Sequence, residues 1–370
     1  MDSLPHILLR PALAPPIPPP RHRRAALLAG AALGTLPDLD VIPVNLLTSD
    51  PIARMTWHRS VSHSLLVLPF VAWAIWTWCR GRGGRVSQSP VRWFWAMQAA
   101  LLTHPLLDAF TVYGTQLFWP LPVKPAMWSS IFIIDPLYTV WLLLACVIAW
   151  FARQRRWAQP ALLAGLALST AYLGTSLVAK HRVEQDVEIA LARHNLQDAP
   201  RFSVPMPFNI LLWRVVAMTP EGFVEGERSL VADHGPMRFH EYPSDVRALS
   251  QVFEYPSVQR LEWFNHGFMK AQQHDGKLVL SDLRMGAEPD YSFRFAVARH
   301  DGDTWHEIPP EQLQWPWQAS RRLVAMWHRI WTQPAADTAA MPDARLPSGA
   351  TRAKVAELAP RGTRRANATH

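Results

Sequence analysis

The segment PLYTVWLLLACVIAWF, Pro136 to Phe151, carries no charged side chain and no glycine, and its reading decides the fold. At about 1.5 Å per residue such a helix extends roughly 24 Å, close to the hydrocarbon thickness of a bilayer. Three more runs are nearly as apolar: Ser64 to Cys79, Val91 to Leu107 and Ala161 to Ala179. One such run alone fits the core of a soluble protein. Four in succession, rich in Trp and separated by Arg clusters, predict a bundle of membrane helices. Ala25 to Leu36 adds a short small-residue helix, and the six prolines among Pro11 to Pro20 prevent residues 4–20 from forming one regular helix. The expected fold is an α-helical polytopic membrane domain with four to six membrane-embedded helices, then a small mainly-β soluble domain and a disordered C-terminal tail.

Charge divides the chain in the same way. Residues 1–180 hold 15 Lys/Arg against six Asp and no Glu, whereas the other 190 residues hold 22 basic and 23 acidic side chains. The expected domains are therefore 1–180 in the membrane, 181–332 as the mainly-β unit and 333–370 as the tail. Both cysteines, Cys79 and Cys146, lie inside apolar runs, which argues against a thiol nucleophile or a thiolate zinc site. No Gly-rich phosphate loop, Gly-x-Ser-x-Gly elbow or nucleic-acid recognition pattern is present. The basic balance is accounted for by the membrane loops and the tail, so no nucleic-acid partner is expected. A cleavable signal peptide is not expected either, since a charged start followed by an unbroken apolar core is missing.

The loops give an orientation. Arg80, Arg82, Arg85 and Arg92 separate the first two runs and Arg153, Arg155 and Arg156 the last two, while Thr111 to Ser130 carries only Lys124. Positive loops stay in the cytoplasm. That predicts a multi-pass membrane protein with everything after Lys180 on the extracytoplasmic side.

The polar residues left in the membrane half then gather on the outer rim. Asp38 and Asp40 follow the short helix, His58 and His63 precede the first long run, His104 and Asp108 close the second, and Asp135 opens the third. His6 joins them if residues 4–20 fold back as one arm of a hairpin. Carboxylates at bilayer depth are costly unless paired or bound to a cation. His104 and Asp108 are four apart and share one helical face, although Pro105 between them works against regular geometry at His104. His58 and His63 are five apart, which suits a loop and a first turn, with Ser60 or Ser62 as a helix cap. Imidazole and carboxylate without thiolate suit a divalent metal, zinc before manganese or iron, as one or two ions. His6, His58, His63, His104 and Asp108 are the expected ligands. Asp38, Asp40 and Asp135 serve as further ligands, orienting groups or the general base, and Arg59 either holds an anionic substrate or snorkels to the interface.

These same residues carry a family likeness. Met1 to His6, Gly34-Thr35-Leu36-Pro37-Asp38-Leu39-Asp40, His58-Arg59-Ser60-Val61-Ser62-His63-Ser64, His104 to Gln116 and Ile134-Asp135-Pro136 together resemble the YdjM-like family of bacterial inner-membrane, metal-dependent hydrolases, some of them LexA-regulated. The resemblance covers roughly residues 1–300. It departs from the family pattern after His6, where Arg10 and the prolines interrupt a smooth helix. More distantly, His104-x3-Asp108 is similar to the helix ligands of zinc-dependent phospholipase C and nucleases of similar fold. That kinship implies hydrolysis of a phosphoester or lipid-type substrate by metal-activated water. The alternative is a non-catalytic integral membrane protein whose His/Asp cluster is a structural metal site or a polar network between helices.

Beyond Lys180, a charged stretch to Asn195 continues the last run. Strands are expected at Leu211 to Met218, Gly222 to Leu230, Val258 to Phe264, Lys277 to Leu283 and Tyr291 to Val297, with turns at Thr219-Pro220-Glu221-Gly222 and Asp275-Gly276. His234, His240, His266 and His274 show no ligand grouping. The expected partners are membrane lipids and a small-molecule or lipid substrate.

Overall fold

The computed structural model describes residues 22–152, 155–302, 304–315 and 319–334; His6, the 4–20 arm and the tail from 335 lie outside the described residues. The membrane half is mainly helical, apart from the connection 110–135, which holds an isolated antiparallel bridge between Thr115 and Ala126. α1 (Arg23–Thr35) passes through a 3-10 turn, Pro37–Asp40, into α2 (Val41–Leu47). α3 (Pro51–Trp57) starts where the Asp50 carboxylate accepts the Ile52 amide at 2.8 Å and Pro51 fills the first helical position. A second 3-10 turn, Val61–His63, leads to α4 (Leu68–Gly81), and α5 (Gly84–Gln88), α6 (Pro90–Ala109), α7 (Pro136–Ala152) and α8 (Ala158–Ala192) follow.

Two helical segments among the described residues are long and apolar enough to cross a membrane, Arg23–Leu47 and Ala158–Ala192. Pro51–His63 with Leu68–Gly81, bent by 57° at their junction, makes a third if counted as one broken span. Two to three candidate spans are therefore found by length and apolarity, where four to six membrane-embedded helices are expected. The other expected runs miss that length and apolarity for local reasons. The run beginning at Ser64 becomes helical only at Leu68, Pro136–Ala152 is shorter than a full span, and α6 carries Arg92, Gln98, His104 and Asp108. Within the bundle, Gln98 Nε2 donates to the Pro69 carbonyl at 3.0 Å and joins α6 to α4. α7 and α8 pack closely at Gly165, where a Cβ would stand 2.4 Å from that of Ala145 and 2.7 Å from the Trp141 carbonyl oxygen.

α8 runs 35 residues without a break, about 52 Å at 1.5 Å per residue. It outlasts a bilayer core of about 30 Å, so its final turns stand clear of the hydrocarbon. Position 180, the expected domain boundary, falls inside this helix. Val183, Val187, Ala190 and Leu191 recur at helical spacing and pack on Trp213, Val215, Ala217 and Val224.

Those four side chains belong to the first of two four-stranded antiparallel sheets. It contains β1 (Arg201–Pro205), β2 (Leu212–Thr219), β3 (Gly222–Ser229) and β4 (His240–Pro243) in that order. After α9 (Val246–Gln251) and α10 (Pro256–Asn265) come β5 (Met269–His274), β6 (Lys277–Asp282), the short pair β7 (Gly286–Ala287) and β8 (Asp290–Tyr291), β9 (Arg294–Asp301) and β10 (Thr304–Gln312). The second sheet is ordered β10-β9-β6-β5. α11 (Ala319–Trp331) ends the described chain.

Both expected turns connect hairpins, with Thr219 opposite Gly222 and His274 opposite Lys277. Asp275 and Gly276 have φ of 50° and 69°, the left-handed pair a two-residue hairpin requires. The strand expected at Val258 to Phe264 is instead most of α10. Pro256 occupies its first turn, and Val258, Leu261 and Phe264, three apart, form one buried helical face. That face meets Leu278, Leu280 and Phe295 of the second sheet together with Ile52, Met55 and Tyr113 of the membrane half, so the two halves share a core.

Candidate metal centre

Three separate segments deliver the polar groups. The 3-10 turn at Pro37–Asp40 presents Asp38, the turn at Val61–His63 presents His63, and α6 presents His104 and Asp108 one turn apart. α6 continues through Pro105, so the distortion expected there does not develop. One ligand atom from each of Asp38, His63, His104 and Asp108 lies within 4.8 Å of the other three.

The distances suit metal ligands as well as ion pairs. His63 Nε2 lies 2.8 Å from His104 Nε2, 3.1 Å from Asp108 Oδ2 and 3.5 Å from Asp38 Oδ1. His104 Nε2 is 3.2 Å from both Asp38 Oδ1 and Asp108 Oδ2. A tetrahedron built on bonds of about 2.0–2.1 Å has edges of roughly 3.3–3.4 Å, so these spacings leave a centre of the right size for a metal ion. The chemistry agrees: two imidazole nitrogens and two carboxylate oxygens converge where water is scarce. The side chains of His63 and His104 are fully buried and that of Asp108 is 1% exposed, while Asp38, at 14%, is the least covered of the four.

A surrounding layer fixes these groups. The Asp40 carboxylate meets His58 Nδ1 at 2.7 Å and accepts the Arg59 backbone amide at 3.1 Å and the Ser62 hydroxyl. Because the hydroxyl proton goes to Asp40, Ser62 Oγ accepts from His63 Nδ1–H, 2.9 Å away. That assigns the His63 tautomer and leaves the lone pair of Nε2 for the centre. Arg59 acts on Asp108. Its Nη2 lies 2.8 Å from Asp108 Oδ1, its Nη1 donates to Thr111 Oγ1 at 3.2 Å, and the guanidinium lies 5.1 Å from the centre of the Tyr113 ring. The Arg59 backbone adopts φ 61°, a left-handed conformation that turns the chain between α3 and the His63 turn. Tyr113 donates to the Met55 carbonyl at 2.9 Å, and burial raises its phenol above the ordinary range, so it remains neutral.

The structure thus brings together Asp38, His63, His104 and Asp108. His58 and Asp40 sit one layer out, and Arg59 is buried against Asp108 rather than extended to an interface. Asp135 stands apart: Oδ1 accepts the Leu137 and Tyr138 amides at 3.0 and 3.2 Å, capping α7, and Oδ2 accepts the Tyr172 hydroxyl at 2.9 Å. Neither expected helix cap forms, since Ser60 Oγ donates to the Trp57 carbonyl and Ser62 serves Asp40 and His63. Ser62, Thr111 and Tyr113 are contributors that residue type alone does not announce. The one available signal is a hydroxyl residue directly before His63.

Residues 1–183 match the family model described as YdjM inner membrane protein. The match stops near the level where α8 meets the first sheet, short of the residue 300 that the motifs suggested. Neither a comparison with curated proteins nor one with solved structures found a match.

Proposed function

Residues 1–183 belong to the YdjM inner membrane protein family, and from that premise we propose that the chain is a membrane-bound, metal-dependent hydrolase acting on a phosphoester of lipid type. The observation that carries the reading is the meeting of Asp38, His63, His104 and Asp108 within 4.8 Å. A divalent cation held there, zinc for this nitrogen and oxygen donor set, supplies Lewis acidity that acidifies water and polarises the bond to be cleaved. The chain's own groups do the remaining work. Ser62 and Asp40 hold His63 in one tautomer, and Arg59 with Thr111 holds Asp108. Asp38, the least covered member, faces the side from which substrate arrives. The segment following it favours a lipid: α2 buries none of its residues, and Leu46 and Leu47 are 83% and 74% exposed.

In this reading α4, α6 and α7 are also embedded, the Arg-bearing loops are cytoplasmic, and the centre and the β-rich region lie on the extracytoplasmic side. The test is turnover of phospholipid and isoprenoid-phosphate substrates by the purified chain in lipid nanodiscs. Activity lost in H104A and D108A with folding retained, and restored by zinc after chelation of the intact protein, is the expected result. No turnover of either class by the zinc-loaded protein overturns it. A second reading, a structural metal site, is favoured by the near-complete burial of three of the four groups. It requires that chelation or H104A unfold the membrane half.

A further inference from the structure

α11 reads ASRRLVAMWHRIW and has two unlike faces. One is fastened to the first sheet. Ile330 is buried, its carbonyl accepts the Ser229 hydroxyl at 2.6 Å, and Arg329 Nη1 lies 2.8 Å from Asp233 Oδ1. The other carries Val324, Trp327 and Trp331, spaced three and four apart and 59%, 59% and 52% exposed, with the two indoles 5.7 Å apart between centroids. Two adjacent exposed tryptophans on one helical stripe are what a helix lying at a bilayer surface presents.

The position of α11 indicates what covers that stripe. Ser229, which holds Ile330, pairs with Leu212 at the start of β2, and the Leu212 carbonyl accepts the Met206 amide at 2.8 Å. The turn 206–211 and the C-terminal end of α11 therefore share one end of the sheet. From that turn Phe208 meets Phe132 edge-on at 6.1 Å, four residues before α7 enters its apolar run. At the same level Lys180 Nζ, on α8, reaches Ser203 Oγ of β1 and Ser129 Oγ at 2.9 and 3.0 Å. The sequence beyond α11 adds charge of the matching sign, with six Lys/Arg and three Asp/Glu in residues 335–370.

We propose that Val324, Trp327 and Trp331 rest in the headgroup boundary of the leaflet from which α8 emerges. The β-rich region is then held against the bilayer by a second, peripheral contact, and the occupant of the stripe is an anionic lipid surface. This inference does not depend on the hydrolase reading.

The test uses the full chain with Cys79 and Cys146 replaced by Ala. A single cysteine at Val324, Trp327 or Trp331 carries an environment-sensitive fluorophore, and one protein is placed in each nanodisc of phosphatidylethanolamine and phosphatidylglycerol. His274→Cys is the control, since β5 begins near His266, which bonds the Pro125 carbonyl at 2.9 Å, and runs away from it to the hairpin tip. Nitroxide lipid should quench the three α11 labels severalfold more than the control. Labels on α11 quenched no more than the control overturn the proposal. So does self-quenching between copies in detergent combined with unquenched labels in nanodiscs, which would assign the stripe to a second chain. Retained amide-exchange protection of β2 and β3 shows that each variant is folded.

Discussion

Ser62→Ala removes a single hydroxyl that touches no ligand atom, yet it should weaken metal binding. The hydroxyl donates to Asp40 and accepts from His63 Nδ1–H at 2.9 Å. Without it the proton on Nδ1 loses its acceptor, with Asp40 Oδ2 still 3.8 Å away, and the ring is held from its Nε2 side alone. A buried donor left without a partner costs about 1–3 kcal/mol. Removing groups that orient metal-bound histidines typically costs about 10–100-fold in affinity, or roughly 1.4–2.7 kcal/mol. The two estimates overlap. Ser62 is only partly buried, so water can replace some of the lost interaction, and about tenfold is expected. The assay is zinc competition against a chromophoric chelator with the protein in nanodiscs, alongside Ser60→Ala, whose hydroxyl donates to the Trp57 carbonyl and, among the described residues, reaches none of the four ligands. Equal affinity for the parent protein, S60A and S62A would refute the tautomer argument. A loss in S62A as complete as in H104A would show that the change had disrupted the turn itself.

Four other outcomes follow from the packing. In metal-free protein, Asp108→Ala leaves the Arg59 guanidinium buried without its carboxylate; melting in detergent should show a loss of about 3–5 kcal/mol, part of it recovered in R59M/D108A. Gly165→Ala should destabilise the α7–α8 pair by about 1–3 kcal/mol, whereas Gly174→Ala, with no atom within 4 Å of its Cβ position, should not, as read by detergent-denaturation midpoints. Asp135→Ala should cost about 1 kcal/mol as a lost helix cap and leave zinc affinity unchanged; a joint loss of affinity would place Asp135 in the centre after all. Burial holds the His266 ring below its ordinary 6.5 despite the bond to Pro125, so the unfolded chain takes up the proton first. Stability should therefore fall as pH drops below 6.5, and His266→Asn, which tolerates the left-handed φ of 62°, should flatten that slope in denaturation series across the window.

The helical character of the first half was legible because uncharged runs of this length have few other uses. The length of each helix was not, because apolarity does not reveal that the first run bends near Ser64 or that α6 spends part of its length on polar contacts. Hairpin turns announced themselves in Pro220-Glu221 and Asp275-Gly276. Val258 to Phe264 misled, since a short apolar run fits either period and only the three-residue spacing and Pro256 favour the helix. At the centre, the residue types that hold metals were readable, but their ranks were not. His58 and His63 look alike in sequence; what separates them is a single turn that aims one ring at Asp40 and the other at His104. Asp135 was drawn toward the site by its charge, while its position directly before Pro136 marks it as a cap. Arg59 could be placed only once the fold set its guanidinium on Asp108.

The claim on which the account rests is that these four side chains share a cation. X-ray absorption on the purified, zinc-loaded chain, with metal content measured on the same sample, tests it most directly. The account predicts a single tightly held zinc per chain, bound by nitrogen and oxygen at about 2.0–2.1 Å with an imidazole scattering pattern, and lost in H104A and D38A. A chain that holds no zinc, or one whose zinc and spectrum are unchanged in those variants, would contradict it.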